Sequence, residues 1–107
     1  MRRGDLVTVA IQGDYGKPRP ALVIQSDTLM DHPSITVLPL TSYLLPTPLL
    51  RVTISPNEQN GLLKKSQVMV DKIITLPREK LGPVIGHVTE DELAEISNRL
   101  LLLLDLQ

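Results

Sequence analysis

A chain of 107 residues that is 42% hydrophobic and 21% charged has the size and composition of one globular domain with its own core. Its lack of cysteine excludes disulfides, thiolate metal sites and a cysteine nucleophile, and its lack of tryptophan and phenylalanine leaves Leu, Val and Ile to fill the interior. The net charge of −1 conceals a +3 body over residues 1–87 and a −4 segment from Val88 onward.

Short β-branched runs then alternate with proline and glycine. Leu6-Val7-Thr8-Val9-Ala10-Ile11 predicts a first strand. Residues 13–18, with two glycines and a proline, predict a loop. Pro20-Ala21-Leu22-Val23-Ile24-Gln25 predicts a second strand, apolar enough to be central, with its proline at the entrance where a missing N–H does least harm. Ser26 and Asp27 cap one helical turn through Met30, which His32-Pro33 ends. Ile35-Thr36-Val37-Leu38-Pro39-Leu40 is the third predicted strand and Arg51-Val52-Thr53-Ile54 the fourth; Pro46 and Pro48 make 43–49 a loop. A polar turn over 56–61 ends in Asn60-Gly61. Ser66-Gln67-Val68-Met69-Val70-Asp71 predicts a fifth strand, which 72–76 continue past a bend. Pro77 opens a single helical turn, and 83–86 add a short sixth strand.

The convincing helix starts at Thr89. Thr89-Glu90-Asp91-Glu92 is a capping box, and three acids suit the positive end of the helix dipole. Leu93, Ile96, Leu100 and Leu103 or Leu104 form the stripe expected to pack on a sheet, while Leu101 and Leu102 fall outside it and suit either a helix end tucked into the core or, the favoured reading, contact with a second subunit. The expected fold is mainly β with a C-terminal helix: one domain over residues 1–107, a small curved antiparallel sheet or barrel. No apolar run exceeds the five leucines at 100–104, and Arg2-Arg3-Gly4-Asp5 lacks the basic-then-apolar order of a targeting segment. A soluble, cytoplasmic protein with no membrane association is expected.

Three segments could carry chemistry. In Gly16-Lys17-Pro18-Arg19-Pro20, two prolines stiffen the backbone around an arginine whose planar fork matches phosphate oxygens. The alternative is an arginine paired with a carboxylate at a strand edge. Thr41-Ser42 ends an apolar strand in two hydroxyls, which either satisfy the next turn or donate to a phosphate gaining charge. Asp71 closes the fifth strand as a partner for Arg19 or as an edge charge. Arg2, Arg3, Lys64, Lys65, Lys72, Arg78 and Lys80 could line a phosphate track, with solvated surface as the plain reading. A Walker loop, a dinucleotide fingerprint and a nucleophile elbow are all missing, and His32 and His87 are spaced as a turn residue and a helix-start residue.

Arg3-Gly4-Asp5-Leu6-Val7, followed by Lys17-Pro18-Arg19-Pro20-Ala21-Leu22-Val23-Ile24-Gln25-Ser26-Asp27, resembles the opening and the "RP-apolar-VI-x-ND" strand of the MazF/PemK (Kid) toxin family. Thr36-Val37-Leu38-Pro39-Leu40-Thr41-Ser42 is similar to its "VPITS" segment, and Gly61-Leu62 with residues 66–76 to "GL…SVVLVDQIRTL". The resemblance runs in register through nearly all of residues 2–104. It implies an SH3-like curved barrel, a homodimer, and a sequence-specific, metal-independent endoribonuclease (an mRNA interferase) without cofactor. The implied partners are single-stranded RNA and a cognate antitoxin. In such enzymes the ribose 2′-OH attacks the adjacent phosphate, leaving a 2′,3′-cyclic phosphate and a 5′-OH. Arg19 matches the family's catalytic arginine and Thr41 its catalytic Thr or Ser. The expected substrate contacts are Tyr15, Gly16, Lys17, Ser42, Lys65, Ser66, Gln67 and Asp71. Two departures stand out: the first loop is short and lacks the family's "E-Q-G" stretch, and Met69 occupies a place that is basic in some relatives. Two other classes stay open, a CcdB-like gyrase poison and a non-catalytic relative that binds RNA or antitoxin. The Leu104-Asp105-Leu106-Gln107 ending counts against the first, which relies on Trp-Gly-Ile.

Overall fold

Seven strands and one helix build the chain in a computed structural model that describes residues 1–10, 17–46 and 49–106. The strands are β1 (Asp5–Ala10), β2 (Pro18–Val23), β3 (Ser34–Thr41), β4 (Arg51–Ile54), β5 (Ser66–Met69), β6 (Ile74–Pro77) and β7 (Leu81–His87); α1 is Glu90–Leu104. The order across the sheet is β4-β5-β3-β2-β1-β7, with β6 also paired to β3 and every pairing antiparallel. The sheet is bent but does not close, so the open form of the predicted sheet or barrel is the one adopted.

The long middle strand explains the bend. β3 spends its first half against β6 (Ser34↔Pro77 through Val37↔Ile74) and its end against β5 (Leu40↔Val68, Thr41↔Gln67). The predicted fifth strand thus does continue past a turn, with Lys72 N–H donating to Met69 O at 3.1 Å, and both pieces run along β3. Apolar residues occur on both faces of β1, β2 and β3 because both faces are covered. Leu6, Leu22, Leu38 and Leu40 point toward Val52, Ile54, Val68 and the fully buried Ile96 of α1. Val7, Val9, Ala21, Val23, Ile35 and Val37 form the opposite layer, closed over by Met30, Ile74, Leu76 and Leu81.

Two predicted elements need correction. The sixth predicted strand, 83–86, is β7 over Leu81–His87, an edge strand whose register against β1 slips twice; an edge accepts Pro83 because that strand lacks a neighbour on one side. Pro77 ends β6 and precedes the helical turn, Arg78–Lys80, rather than opening it. The other predicted turn is present: Ser26 accepts from Thr28 N–H at 3.2 Å and caps Asp27–Leu29.

The capping box forms as predicted, with Glu92 N–H donating to Thr89 Oγ1 at 3.0 Å and Thr89 N–H to Glu92 Oε1 at 2.9 Å. The packing stripe is shorter than expected. Leu93 and Leu100 join Ile96 against the core, but Leu103 and Leu104, in the last turn of α1, are exposed. Leu101 is half-buried and Leu102 lies 61% exposed. Arg3 ties the N-terminus to the helix side, its Nη2 donating to Ser97 Oγ at 2.7 Å and its Nε to Ile24 O at 3.1 Å. Among the described residues no helix is long and apolar enough to cross a membrane.

Candidate active site

Strand pairing brings Arg19 and Thr41 together. β2 and β3 pair as Val23↔Val37, Leu22↔Leu38 and Ala21↔Pro39, and two residues further out on each strand stand Arg19 and Thr41. Period-two alternation gives them the parity of Ala21, Val23, Ile35 and Val37, the face opposite the helix. Pro18, Pro20 and Pro39 have no N–H to offer, which favours an end to this ladder at Ala21↔Pro39. Beyond it the strands part, and β3 turns to pair with β5.

Two open hollows flank the parting point, and Arg19, Leu40, Thr41 and Ser42 line both. One, of ≈ 330 Å³, is completed by Pro39, Tyr43, Met69, Lys72 and Ile74. The other, of ≈ 410 Å³, extends over Thr8, Leu62, Leu63, Lys64, Ser66 and Ile85. Both lie in the size range of small-ligand sites. Among the described residues lining them, the charged side chains are Arg19, Lys64 and Lys72, with neither a carboxylate nor a histidine. The Thr41 Oγ1 accepts from Tyr43 N–H at 3.1 Å, which occupies a lone pair and leaves the hydroxyl proton available to donate outward.

The floor of the second hollow depends on a turn locked by side-chain amides. Asn57 Oδ1 accepts from Gln59 N–H (2.9 Å) and Asn60 N–H (2.8 Å), and the buried Asn60 Oδ1 from Asn57 N–H (3.1 Å) and Leu62 N–H (3.0 Å). Asn60-Gly61, read as turn residues, is needed as such: Gly61 has φ +67°, and a Cβ there would strike Ile85 O of β7. His87 N–H donates to Gln59 O at 2.9 Å and holds the turn on β7.

The other expected contact residues divide. Ser42 lines both hollows and Ser66 one, its Oγ donating to Lys64 O at 2.9 Å. Lys17, Lys65 and Asp71 are exposed and line neither; Lys64 does so in place of Lys65. Gln67 is buried and turned to the chain itself: its Oε1 accepts from Leu45 N–H, and its Nε2 donates to Leu45 O, each at 3.0 Å, and to Thr53 Oγ1 at 3.2 Å. Tyr15 and Gly16 lie outside the described residues. Lys64 and Lys72, two of the basic residues read as a possible phosphate track, line the hollows, and Tyr43 is a cleft residue that the expected set lacks. The sequence carries little signal for Tyr43, which reads locally as an ordinary loop side chain.

Fold and site together define a class: a one-helix, bent-sheet domain with an arginine and a hydroxyl lining one cleft whose described charged residues are basic. The model of PemK-like, MazF-like toxins of type II toxin–antitoxin systems matches residues 2–104. A probable endoribonuclease MazF from Mycolicibacterium smegmatis is 42% identical over 105 residues, covering 97% of this chain and 96% of its own. The MazE–MazF crystal structure (form II) from Deinococcus radiodurans contains a chain 26% identical with a TM-score of 0.77, covering 97% of this chain and 94% of that one. An endoribonuclease solved with its cognate antitoxin, from mycobacterial species, has the same fold at a TM-score of 0.82 and 24% identity, covering 100% and 97%. The chain belongs to the PemK-like, MazF-like family of type II toxin–antitoxin toxins, and within it to the MazF-type endoribonucleases.

Proposed function

We propose that this endoribonuclease cuts single-stranded RNA at a preferred sequence, without a metal ion, at the Arg19–Thr41 cleft. The 2′-oxygen forms a bond to phosphorus as the P–O5′ bond breaks; the 2′-OH proton is released and the departing O5′ takes one up. The products are a 2′,3′-cyclic phosphate and a 5′-OH. Arg19 neutralises the charge gathering on the non-bridging oxygens, and the Thr41 hydroxyl donates to one of them. DNA is spared because it lacks the internal nucleophile. The observation that carries this reading is that both side chains line the same two hollows with two lysines and, among the described residues, no carboxylate. Ser42 joins them as a phosphate contact, and Lys17 and Lys65 approach the RNA from outside the hollows.

The same reading places the protein in the cytoplasm as a homodimer, joined through the exposed Leu102, Leu103, Leu104 and Leu106 at the end of α1. A cognate antitoxin with an acidic or apolar segment covers the basic cleft. The test is incubation of purified protein with a defined long RNA in EDTA, followed by mapping of the cut ends. Discrete cuts carrying 5′-OH ends are expected. Intact RNA with inhibited gyrase supercoiling would overturn the reading in favour of a gyrase poison.

A further inference from the structure

Tyr43 is the one aromatic side chain among the described residues, in a chain with two tyrosines and no Phe or Trp. It is 73% exposed and lines the hollow shared by Arg19, Thr41 and Lys72, beside the apolar Met69 and Ile74. Leaving so large a ring in water forfeits burial energy, so its position invites a ligand with a flat apolar face.

The segment that carries the ring is held firmly. Tyr43 N–H donates to the hydroxyl of Thr41, which ties the ring's backbone to a cleft residue two positions away. Two residues on, both backbone polar groups of Leu45 are engaged by the side-chain amide of Gln67, which is 4% exposed and braced by Thr53 Oγ1. One planar amide thus mimics a neighbouring strand for Leu45 and fixes the backbone two residues past the ring. A ring displayed on a braced loop has less freedom to lose when a ligand stacks on it.

We infer that Tyr43 is a nucleobase platform, stacking on a base next to the phosphate held by Arg19 and Thr41, and that Gln67 is the positioning residue that presents it. Two residues of chain span at most about 7 Å between Cα atoms, so ring and hydroxyl can serve neighbouring parts of one nucleotide unit. Stacking tolerates any base, so Tyr43 supplies affinity and orientation while other contacts choose the sequence. This inference rests on the RNA-cleavage reading, but it is testable without cleavage.

The experiment uses the full chain with Tyr15→Phe, which leaves Tyr43 as the sole tyrosine and its emission as a direct reporter. The probes are a mixed-sequence 2′-O-methyl oligonucleotide, whose blocked nucleophile prevents cutting, and an abasic sugar-phosphate oligomer of the same length. Tyr43 emission is expected to be quenched by the first probe and not by the second. Adding Tyr43→Ala should weaken binding of the base-bearing probe about 5- to 150-fold and leave the abasic probe unchanged, while Tyr43→Phe restores binding. Gln67→Leu should reduce both the quenching and the preference for the base-bearing probe. Equal losses on the two probes, no quenching, or a Tyr43→Ala change in sedimentation without base-dependent loss would overturn the assignment. If base-dependent quenching occurs but natural RNA stays intact, the cleavage reading fails and the platform stands; the converse result removes the platform alone.

Discussion

Replacing Gln67 with leucine exchanges an amide for a side chain of similar volume and removes three hydrogen bonds at once: two to the backbone of Leu45 and one to Thr53. Each is worth about 1 kcal/mol net. Leu45 is only half-buried and Thr53 is exposed, so the abandoned groups can reach water, and a buried leucine recovers part of the loss. The expected destabilisation is therefore about 1–3 kcal/mol, or a melting temperature lower by roughly 5–20 °C for a domain of this size. Urea unfolding followed by circular dichroism, at matched protein concentration, should show a lower midpoint with an unchanged slope. A midpoint equal to that of the unmodified protein would refute the view that this amide braces the loop.

Gly86→Ala places a methyl group against Gln59 O and the Asn60 carbonyl, backbone atoms that cannot swing aside. It should cost about 1–3 kcal/mol and loosen the turn under the second hollow, seen as faster hydrogen exchange at the amides of residues 60–62; wild-type exchange and stability would contradict that packing. The lysines of the cleft, Lys64 and Lys72, should govern the salt dependence of RNA binding. Replacing both with alanine should make the slope of log affinity against log salt shallower by about 1.4, and an unaltered slope would show that they do not meet phosphate.

Much of the fold was written in local pattern. The first five strands announce themselves as β-branched runs, and the Thr89–Glu92 box marks the start of the helix, because these features depend on near neighbours. β7 was underestimated because Gly82 and Pro83 look like breakers and only its position at the sheet edge makes them acceptable. The leucine stripe reaches less far than its period suggests, since periodicity tells which residues share a helix face and not how much of that face is covered. At the site, Arg19 and Thr41 could be paired from the family resemblance, and strand register supplies the physical reason for their meeting. Lys72 is legible only as one of several basic residues that could follow a phosphate track, and Tyr43 not at all: the turn between β5 and β6 and the loop after β3 bring them to the cleft, and no local spacing encodes that. Gln67 was expected to touch substrate, yet its amide is engaged with Leu45 and Thr53, a use that only tertiary structure discloses.

The most direct measurement is single-turnover cleavage of a defined RNA by Arg19→Ala, Thr41→Ala and the double variant, each shown to be folded. If both side chains stabilise one phosphorus centre, each single change should slow cleavage on the order of a hundred- to a thousandfold. The double variant should then fall well short of the product of the two effects. Cleavage by Arg19→Ala at the unmodified rate, with the same cut positions, would contradict the account at its centre.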